Sequence, residues 1–391
     1  MGHTVFERIE EASSELAGRS RAADELGRLP DDVAKRLKDT GVVRMLQPTQ
    51  FGGYEADPRD FLAAVMEVGH SCPSAGWISG VVGVHPWELA FNDERLQEEV
   101  WGDDPDTWVA SPYAPMGTAT PVDGGYVVDG RWSFSSGTDL CDWVVLGAGV
   151  PGGGTDGIPF MLHVMLPRAD YEIDPDSWKV MGLEGTGSKD IIVREAFVPT
   201  YRTIDAVKVM DGRAAVEAGR TEPLYRMPWS TIFPCAIAAG LLGIAEGVLQ
   251  HALDYQTSRV NAVGTAQVSD PHTRRTLGEA AADLRGARAQ LLYDVGELYE
   301  KLGTGYQPTM ADRVAMRRDQ VRVGWRAVEA ADRAFTCCGG NAVRTDKPVQ
   351  RYWRSMHAGM NHAVFVPGPV YDDAAGMLMG EKPSGPAAVT F

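Results

Sequence analysis

Residues 130–137 read Gly-Arg-Trp-Ser-Phe-Ser-Ser-Gly, and the chain runs on through Asp142, Trp143, Val144, Val145 and Leu146. A strand-like run, residues 125–129, leads into them. Two strands joined through serines and aromatic rings offer a flat apolar wall and several hydroxyls at one place. That combination suits a planar ring with a polar edge, such as a flavin: rings cover its faces and hydroxyls bond its edge. More familiar catalytic signatures are absent. There is no H-E-x-x-H, no G-x-S-x-G, no Walker loop and no G-x-G-x-x-G between a strand and a helix. The eight histidines are scattered. His357 and His362 sit five residues apart, about 140° around a helix, so they do not share a face as metal ligands would, and no metal is expected. Gly152, Gly153 and Gly154 lead into a strand rather than a helix, which predicts a hairpin turn and not a phosphate loop.

The elements that must position these groups follow from periodicity. Residues 5–26 space apolar side chains along one helical face. Pro30 with Asp31 and Asp32 marks a second helix start, ending near Thr40 and Gly41. Residues 61–69 and 74–90 predict two more helices, the second apolar on most sides and therefore buried. From residue 106 the pattern changes to short strand-like runs at 108–110, 126–128, 143–146, 161–166 and 191–193, separated by Gly and Pro turns. Long helices are predicted over 232–258, 274–302 and 309–337, and a shorter one over 349–361. Such lengths suit an antiparallel bundle. The tail beyond Pro367 is rich in Gly and Pro and reads as loop. Three domains are expected: helices over 1–105, β structure over 106–215, and a helical bundle with the tail over 216–391.

Composition bounds the function. The 391 residues carry 37 basic and 53 acidic side chains, a net charge of −16. That surface repels phosphate backbones, so nucleic acid is not an expected partner. Five cysteines at 72, 141, 235, 337 and 338 form no disulfide framework and fit a reducing compartment. Cys337 and Cys338 are adjacent, poor geometry for a bridge, and read as buried thiols at a helix end. The first ten residues lack the apolar core of a signal peptide. The longest apolar run, 235–245, falls short of the roughly 20 residues a membrane span needs. A soluble, cytoplasmic protein with no membrane partner is expected.

The order helical, β, helical resembles the acyl-CoA dehydrogenase superfamily over nearly the full length. Residues 181–186 (Met-Gly-Leu-Glu-Gly-Thr) with Val198 and Pro199 are similar to that family's turn between strands. The 130–137 motif resembles its flavin-wall strand, and Ser111-Pro112-Tyr113 falls where its preceding strand touches the flavin. One departure stands out. Where the dehydrogenases carry a catalytic Glu, residues 354–363 read Arg-Ser-Met-His-Ala-Gly-Met-Asn-His-Ala, with no carboxylate. In this the chain resembles the oxygenase components of two-component flavin-dependent monooxygenases. Within them it is most similar to the oxygenases that hydroxylate 3-HSA, a phenolic secosteroid, in actinobacterial steroid degradation. Residues 46–48, 51–53, 76–77, 82–85, 99–102, 113–117, 227–229, 318–322, 350–354 and 357–359 carry that likeness. It runs from about residue 28 to 363 and weakens over 264–273.

The resemblance implies an α+β, acyl-CoA dehydrogenase-like fold: an N-terminal helical domain, a central β-barrel or sandwich and a C-terminal four-helix bundle. It implies reduced FMN (with FADH2 as the alternative), O2 as co-substrate, an NAD(P)H-dependent flavin reductase as partner, and ortho-hydroxylation of a phenol. His362 is the expected base, and Ser136 the second catalytic side chain. Trp77, Ser111, Pro112, Tyr113, Phe134, Ser135, Ser136, His362 and Ala363 are expected flavin contacts. Arg259 matches a phosphate-binding Arg; it equally suits a charge at a helix C-terminus. Gly340 and Asn341 match a loop that reaches the flavin of a neighbouring subunit, which implies a homotetramer. Three other readings stand beside this one: hydroxylation of another phenol or a polyketide aromatic, an acyl-CoA dehydrogenase with a relocated base, and a scaffold without catalysis.

Overall fold

The computed structural model describes residues 3–155, 158–260, 264 and 266–382. Five helices come first: α1 (Thr4–Leu26), α2 (Asp31–Thr40), α3 (Pro58–Ser71), α4 (Pro73–Leu89) and α5 (Glu94–Trp101). Their ends follow local chemistry. The Asp57 and Asp93 side chains accept from the first-turn amides of α3 and α5, and α1 and α2 stop at Gly27 and Gly41, both left-handed.

Eight strands follow: β1 (Val109–Ala110), β2 (Pro115–Val122), β3 (Gly125–Ser135), β4 (Trp143–Thr155), β5 (Ile158–Pro167), β6 (Glu172–Asp174), β7 (Lys189–Pro199) and β8 (Thr203–Asp205). They form one mixed sheet in the order β6-β7-β3-β2-β4-β5-β8, with β1 joined to β4. The β4–β5 hairpin forms as expected, pairing Thr155 with Ile158. Gly152, Gly153 and Gly154 lie in the end of β4 rather than in the turn, and residues 156–157 fall outside the described residues. The β3–β7 register shifts between Trp132 and Ser135, and Phe134 takes a left-handed φ of 69°. That irregularity swings the Phe134 ring out of the sheet.

The chain then returns to helices: α6 (Ala206–Met210), α7 (Arg213–Glu217), α8 (Trp229–Ser258), α9 (Pro271–Gly303), α10 (Met310–Cys337), α11 (Pro348–Met360) and α12 (Pro367–Leu378). A capping box between Thr309 and Asp312 starts α10. The tail expected to be loop is a helix as far as Leu378. Pro367 occupies its first turn, where a missing amide costs nothing, and Val370 and Ala374 pack with Val314 and Val321 of α10. His362 lies past the end of α11, so it and His357 do not share a helix.

The core is built on α8 against α3 and α4. α8 is long and apolar enough to cross a membrane by length and composition alone, but its apolar stretch is almost entirely buried. Glycines let these backbones approach closely: a Cβ on Gly243 would lie 2.3 Å from the Met66 carbonyl oxygen. All 17 residues of α4 are buried. Its last turns bond outward in three directions. The His85 ring donates to the Val109 carbonyl oxygen (2.5 Å), the Trp87 indole to that of Leu224 (2.9 Å), and Glu88 accepts from His163 of β5 (2.7 Å). The Glu88–His163 pair ties helix to sheet with both groups at 1% exposure or less. Glu88→Ala should therefore lower the unfolding free energy by about 3–5 kcal/mol, read as a shift of the urea midpoint at constant slope. A loss below about 1 kcal/mol would show that the pair does not hold the helix to the sheet.

Candidate flavin and substrate site

The sequence motifs assemble into two neighbouring walls, both founded on α4. The first is an aromatic cage. Trp77 of α4 meets His362 edge-on at 5.9 Å between ring centroids, and Phe233 of α8 lies 6.3 Å from His362. Phe233 stacks on Trp229 at 4.8 Å and meets Tyr113 edge-on at 5.2 Å. Tyr113 stands on two imidazoles, His163 at 4.7 Å and His85 at 5.5 Å. Ser111, Pro112 and Tyr113 lie in the link from β1 to β2, held where the Gly147 amide donates to the Pro112 carbonyl oxygen (3.1 Å). Gly147 is required there: a Cβ would lie 2.0 Å from the Tyr113 carbonyl oxygen.

Backbone bonds decide what the two imidazoles at this cage present. The Nδ1 of His85 faces a carbonyl oxygen, so it must carry the proton, which leaves the buried Nε2 as a lone-pair acceptor. That Nε2 has no partner among the described residues. The Nδ1 of His362 accepts from the Val364 amide (3.2 Å), which places the ring proton on Nε2. In this tautomer His362 offers a donor, and service as a base requires it to release that amide. Desolvation pushes both rings down to about 4, and the charge on Arg317 adds to the effect at His362. Both are therefore neutral at physiological pH. Burial, then the carboxylate of Glu88, holds the Tyr113 phenol well above its ordinary range.

Arg317 was not singled out from sequence. It occupies the inner face of α10, 8% exposed, where Val314, Val321 and Gly324 mark the apolar stripe. Its guanidinium donates to the Val364 carbonyl oxygen (2.7 Å) and to Gln320 (2.6 Å), and no carboxylate pairs with it among the described residues. A buried charge without a counter-charge favours an anion nearby. A charged residue at a core-facing helical position was the available signal. For His85 the only signal was a histidine inside an otherwise apolar helix.

The second wall is the 130–137 motif. Phe134 is 70% exposed and meets the Trp178 ring edge-on at 6.0 Å, with Met116 and Met181 also exposed. Ser135 is fully buried, and its Oγ has no partner among the described residues. Ser136 bonds Ser188 (2.8 Å). An exposed aromatic wall beside a buried, unengaged hydroxyl fits a flavin, whose faces are apolar and whose edge is polar. Gly137 packs on Ile78 and Val82 of α4, the helix that also carries Trp77.

Of the remaining predicted contacts, Ala363 lies at the cage, next to His362, while Arg259, Gly340 and Asn341 lie elsewhere. Arg259 follows the last turn of α8 and donates to the Cys338 carbonyl oxygen (2.7 Å) beyond the end of α10. It answers the C-terminus of α10 rather than that of its own helix. Gly340 and Asn341 stand exposed just beyond, in the turn Gly340–Val343, and Ala363 is exposed beside His362. The 30 residues of α8 put about 45 Å between this group and the Trp229 end of the cage. A separate cavity of about 560 Å³ opens between residues 90–97, 203–205 and Arg220. Its lining mixes Glu94, Lys208, Glu217 and Arg220 and includes none of the cage residues.

Comparison with known proteins identifies the family and the fold. The model of the acyl-CoA dehydrogenase N-terminal domain matches residues 9–94, and that of the C-terminal domain matches residues 235–367. A pigment production hydroxylase from Rhodococcus erythropolis is 50% identical over 99% of both chains. The flavin-dependent monooxygenase oxygenase subunit HsaA from Rhodococcus jostii is 41% identical over 94% of this chain and 96% of its own. The crystal structure of the 3-HSA hydroxylase from Rhodococcus sp. RHA1 superposes with a TM-score of 0.91 over 99% of both chains, at 39% identity. This chain belongs to the oxygenase components of flavin-dependent monooxygenases built on the acyl-CoA dehydrogenase fold.

Proposed function

We propose that the chain receives reduced FMN, or FADH2, from a separate NAD(P)H-dependent reductase and with O2 hydroxylates a phenol ortho to its hydroxyl. A secosteroid phenol like 3-HSA is the first choice of substrate, and another phenol or a polyketide aromatic the second. One observation carries this reading: the 354–363 segment brings to the cage a neutral imidazole backed by the unpaired Arg317, where an acyl-CoA dehydrogenase needs a carboxylate. The bound flavin supplies the two electrons that activate O2. The protein's part is position, dryness and proton handling. Trp77, Phe233 and Tyr113 cover the ring faces and exclude water. His362 is the base for the phenol proton once it releases the Val364 amide, the Arg317 charge steadies the oxygen left behind, and His85 Nε2 offers a lone pair to the phenol hydroxyl. Ser135 and Ser136 meet the flavin edge, with Phe134, Ser111, Pro112 and Ala363 around it.

Arg259, Gly340 and Asn341 complete the flavin site of a neighbouring subunit in a homotetramer, a reading supported by their distance from the chain's own cage. The division into domains 1–105, 106–215 and 216–391 is supported at its first boundary by the change from helices to strands after Trp101; the strands end at Asp205, and the second boundary falls inside α7. Five free thiols support a reducing cytoplasm as the compartment.

Product analysis with a generic flavin reductase, O2 and a panel of phenols including the secosteroid should show a catechol-type product carrying one oxygen from O2. Oxidation of an acyl-CoA with no oxygen incorporated would instead favour the dehydrogenase.

The pH dependence of single-turnover hydroxylation tests the imidazole roles. Both rings are neutral above about 4. Activity that needs them neutral persists as pH falls from 8 to 5 and is lost on passing through about 4, wherever circular dichroism shows the fold intact. An acid limb at about 6.5, the value of an ordinary histidine, would refute the assignment. His85→Gln and His362→Ala should each slow hydroxylation by about 100-fold or more while anaerobic binding of reduced flavin survives.

Shared sites predict complementation. Arg259→Ala and His362→Ala chains should each be inactive alone, and co-expressed chains should regain activity in mixed oligomers. Absence of recovery in oligomers shown to contain both chains would place Arg259 outside any shared site.

A further inference from the structure

Three hydroxyls run in line behind the Ser-aromatic wall. Ser136 Oγ lies 2.8 Å from Ser188 Oγ, which lies 2.7 Å from Thr186 Oγ1, which lies 2.7 Å from the Leu183 carbonyl oxygen. Each hydroxyl owns one hydrogen, and a carbonyl oxygen can only accept. The Thr186 hydrogen must therefore point at Leu183. The Thr186–Ser188 contact then needs the hydrogen of Ser188, and the Ser188–Ser136 contact needs that of Ser136. One carbonyl fixes the direction of the whole row. The carbonyl is itself well anchored: it also accepts from the Thr186 amide (3.0 Å) and the Trp178 indole (3.3 Å), and the Leu183 amide is tied to Ser355 of α11 (3.2 Å). Ser136, Ser188 and Thr186 are 5%, 3% and 1% exposed, so bulk water does not reorient them.

We propose that Thr186 and Ser188 are positioning residues that turn the Ser136 hydrogen inward and leave its Oγ able only to accept, so that the site tells reduced from oxidised flavin at N5. Reduced flavin carries a hydrogen on N5 and donates; oxidised flavin carries a lone pair there and only accepts. An accepting Ser136 welcomes the first and opposes the second. The inference rests on the reading above that Ser136 meets the flavin edge. It adds that the preference for the reduced state is imposed from Leu183, three bonds away, rather than by Ser136 itself. It further assigns a function to Thr186 and Ser188, neither of which touches the flavin.

The test is the ratio of dissociation constants for oxidised FMN and anaerobically reduced FMN, measured by fluorescence titration. In Ser188→Ala the Ser136 hydrogen has no inward partner and turns out toward N5. In Thr186→Val the Ser188 hydrogen is released toward Ser136 and reverses the row. Both variants should bind oxidised FMN more tightly and reduced FMN less tightly, shrinking the ratio by about tenfold, the worth of one hydrogen bond. Thr186→Ser, which keeps the hydroxyl, should restore it. An unchanged ratio in folded Ser188→Ala overturns the proposal, and that variant decides the matter even if Thr186→Val fails to fold. Ser136→Ala separates the two levels. If it leaves both affinities unchanged, Ser136 does not meet the flavin and the underlying reading fails. If it weakens reduced FMN while Ser188→Ala keeps the ratio, only the relay fails.

Discussion

The structure depends on one helix that has no solvent-facing side. α4 lies between the sheet and α8 with all of its residues buried, so the bonds its polar groups make must lie inside the protein. It carries few, and their bonds lead outward to different elements. His85 reaches β1, Trp87 reaches the approach to α8, and Glu88 reaches β5. Those bonds align the sheet with the bundle and set the His85 ring beneath Tyr113. Trp77 forms one side of the cage, and Gly359 of α11 packs beneath its ring so closely that a Cβ there would lie 2.7 Å away. Positions that hold the fold together and positions that line the site alternate along the same helix. A change that loosens α4 therefore alters both.

Electrostatics within the cage follow from the same burial. Neutral imidazoles cost little to bury, and the backbone decides which nitrogen of each carries the proton. The site thus holds an acceptor at His85 and a donor at His362 without placing a charge on either ring. The Glu88 carboxylate behind Tyr113 is engaged by His163, whereas the guanidinium of Arg317 has no carboxylate beside it among the described residues. Desolvation lowers it to about 10, so it stays protonated at neutral pH. It is satisfied by a carbonyl and a carboxamide rather than by an acid. An acid there would cancel the potential that a phenolate needs.

Much of this was legible in the sequence, and the exceptions share a cause. The long helices, the hairpin at 143–166 and the hydroxyls of Ser135 and Ser136 are local facts, written in periodicity, turns and residue type. What could not be read locally is set by distant partners. Ser136 belongs to a row completed by Ser188 and Thr186, some fifty residues on, and nothing near Ser136 announces its orientation. His85 reads as a lone histidine in a core helix until its bond to Val109 fixes the tautomer. The 367–378 segment has the composition of a loop, yet Val370 and Ala374 find an apolar groove on α10, and tertiary burial overrides weak helix propensity. Arg259 was expected to bind phosphate, with a charge at its own helix C-terminus as the alternative; in the structure its guanidinium bonds the end of α10, a partner almost eighty residues on that nothing near it in the sequence announces.

The length of α8 carries the last consequence. A helix of 30 residues separates its two ends by about 45 Å, and residues resembling flavin contacts sit at both. The Trp229 end is aromatic and dry, suited to a ring. The Arg259 end offers a guanidinium, exposed Gly340 and a short turn, suited to a phosphate and a polar tail. In the homotetramer proposed above, bundling α8 to α10 of several chains would set one chain's far end beside another's cage, and the rigidity of α8 would fix the geometry of the shared site. On this reading flavin binding and assembly are one equilibrium: reduced flavin stabilises the oligomer by its binding energy, and dilution of the chains weakens the flavin.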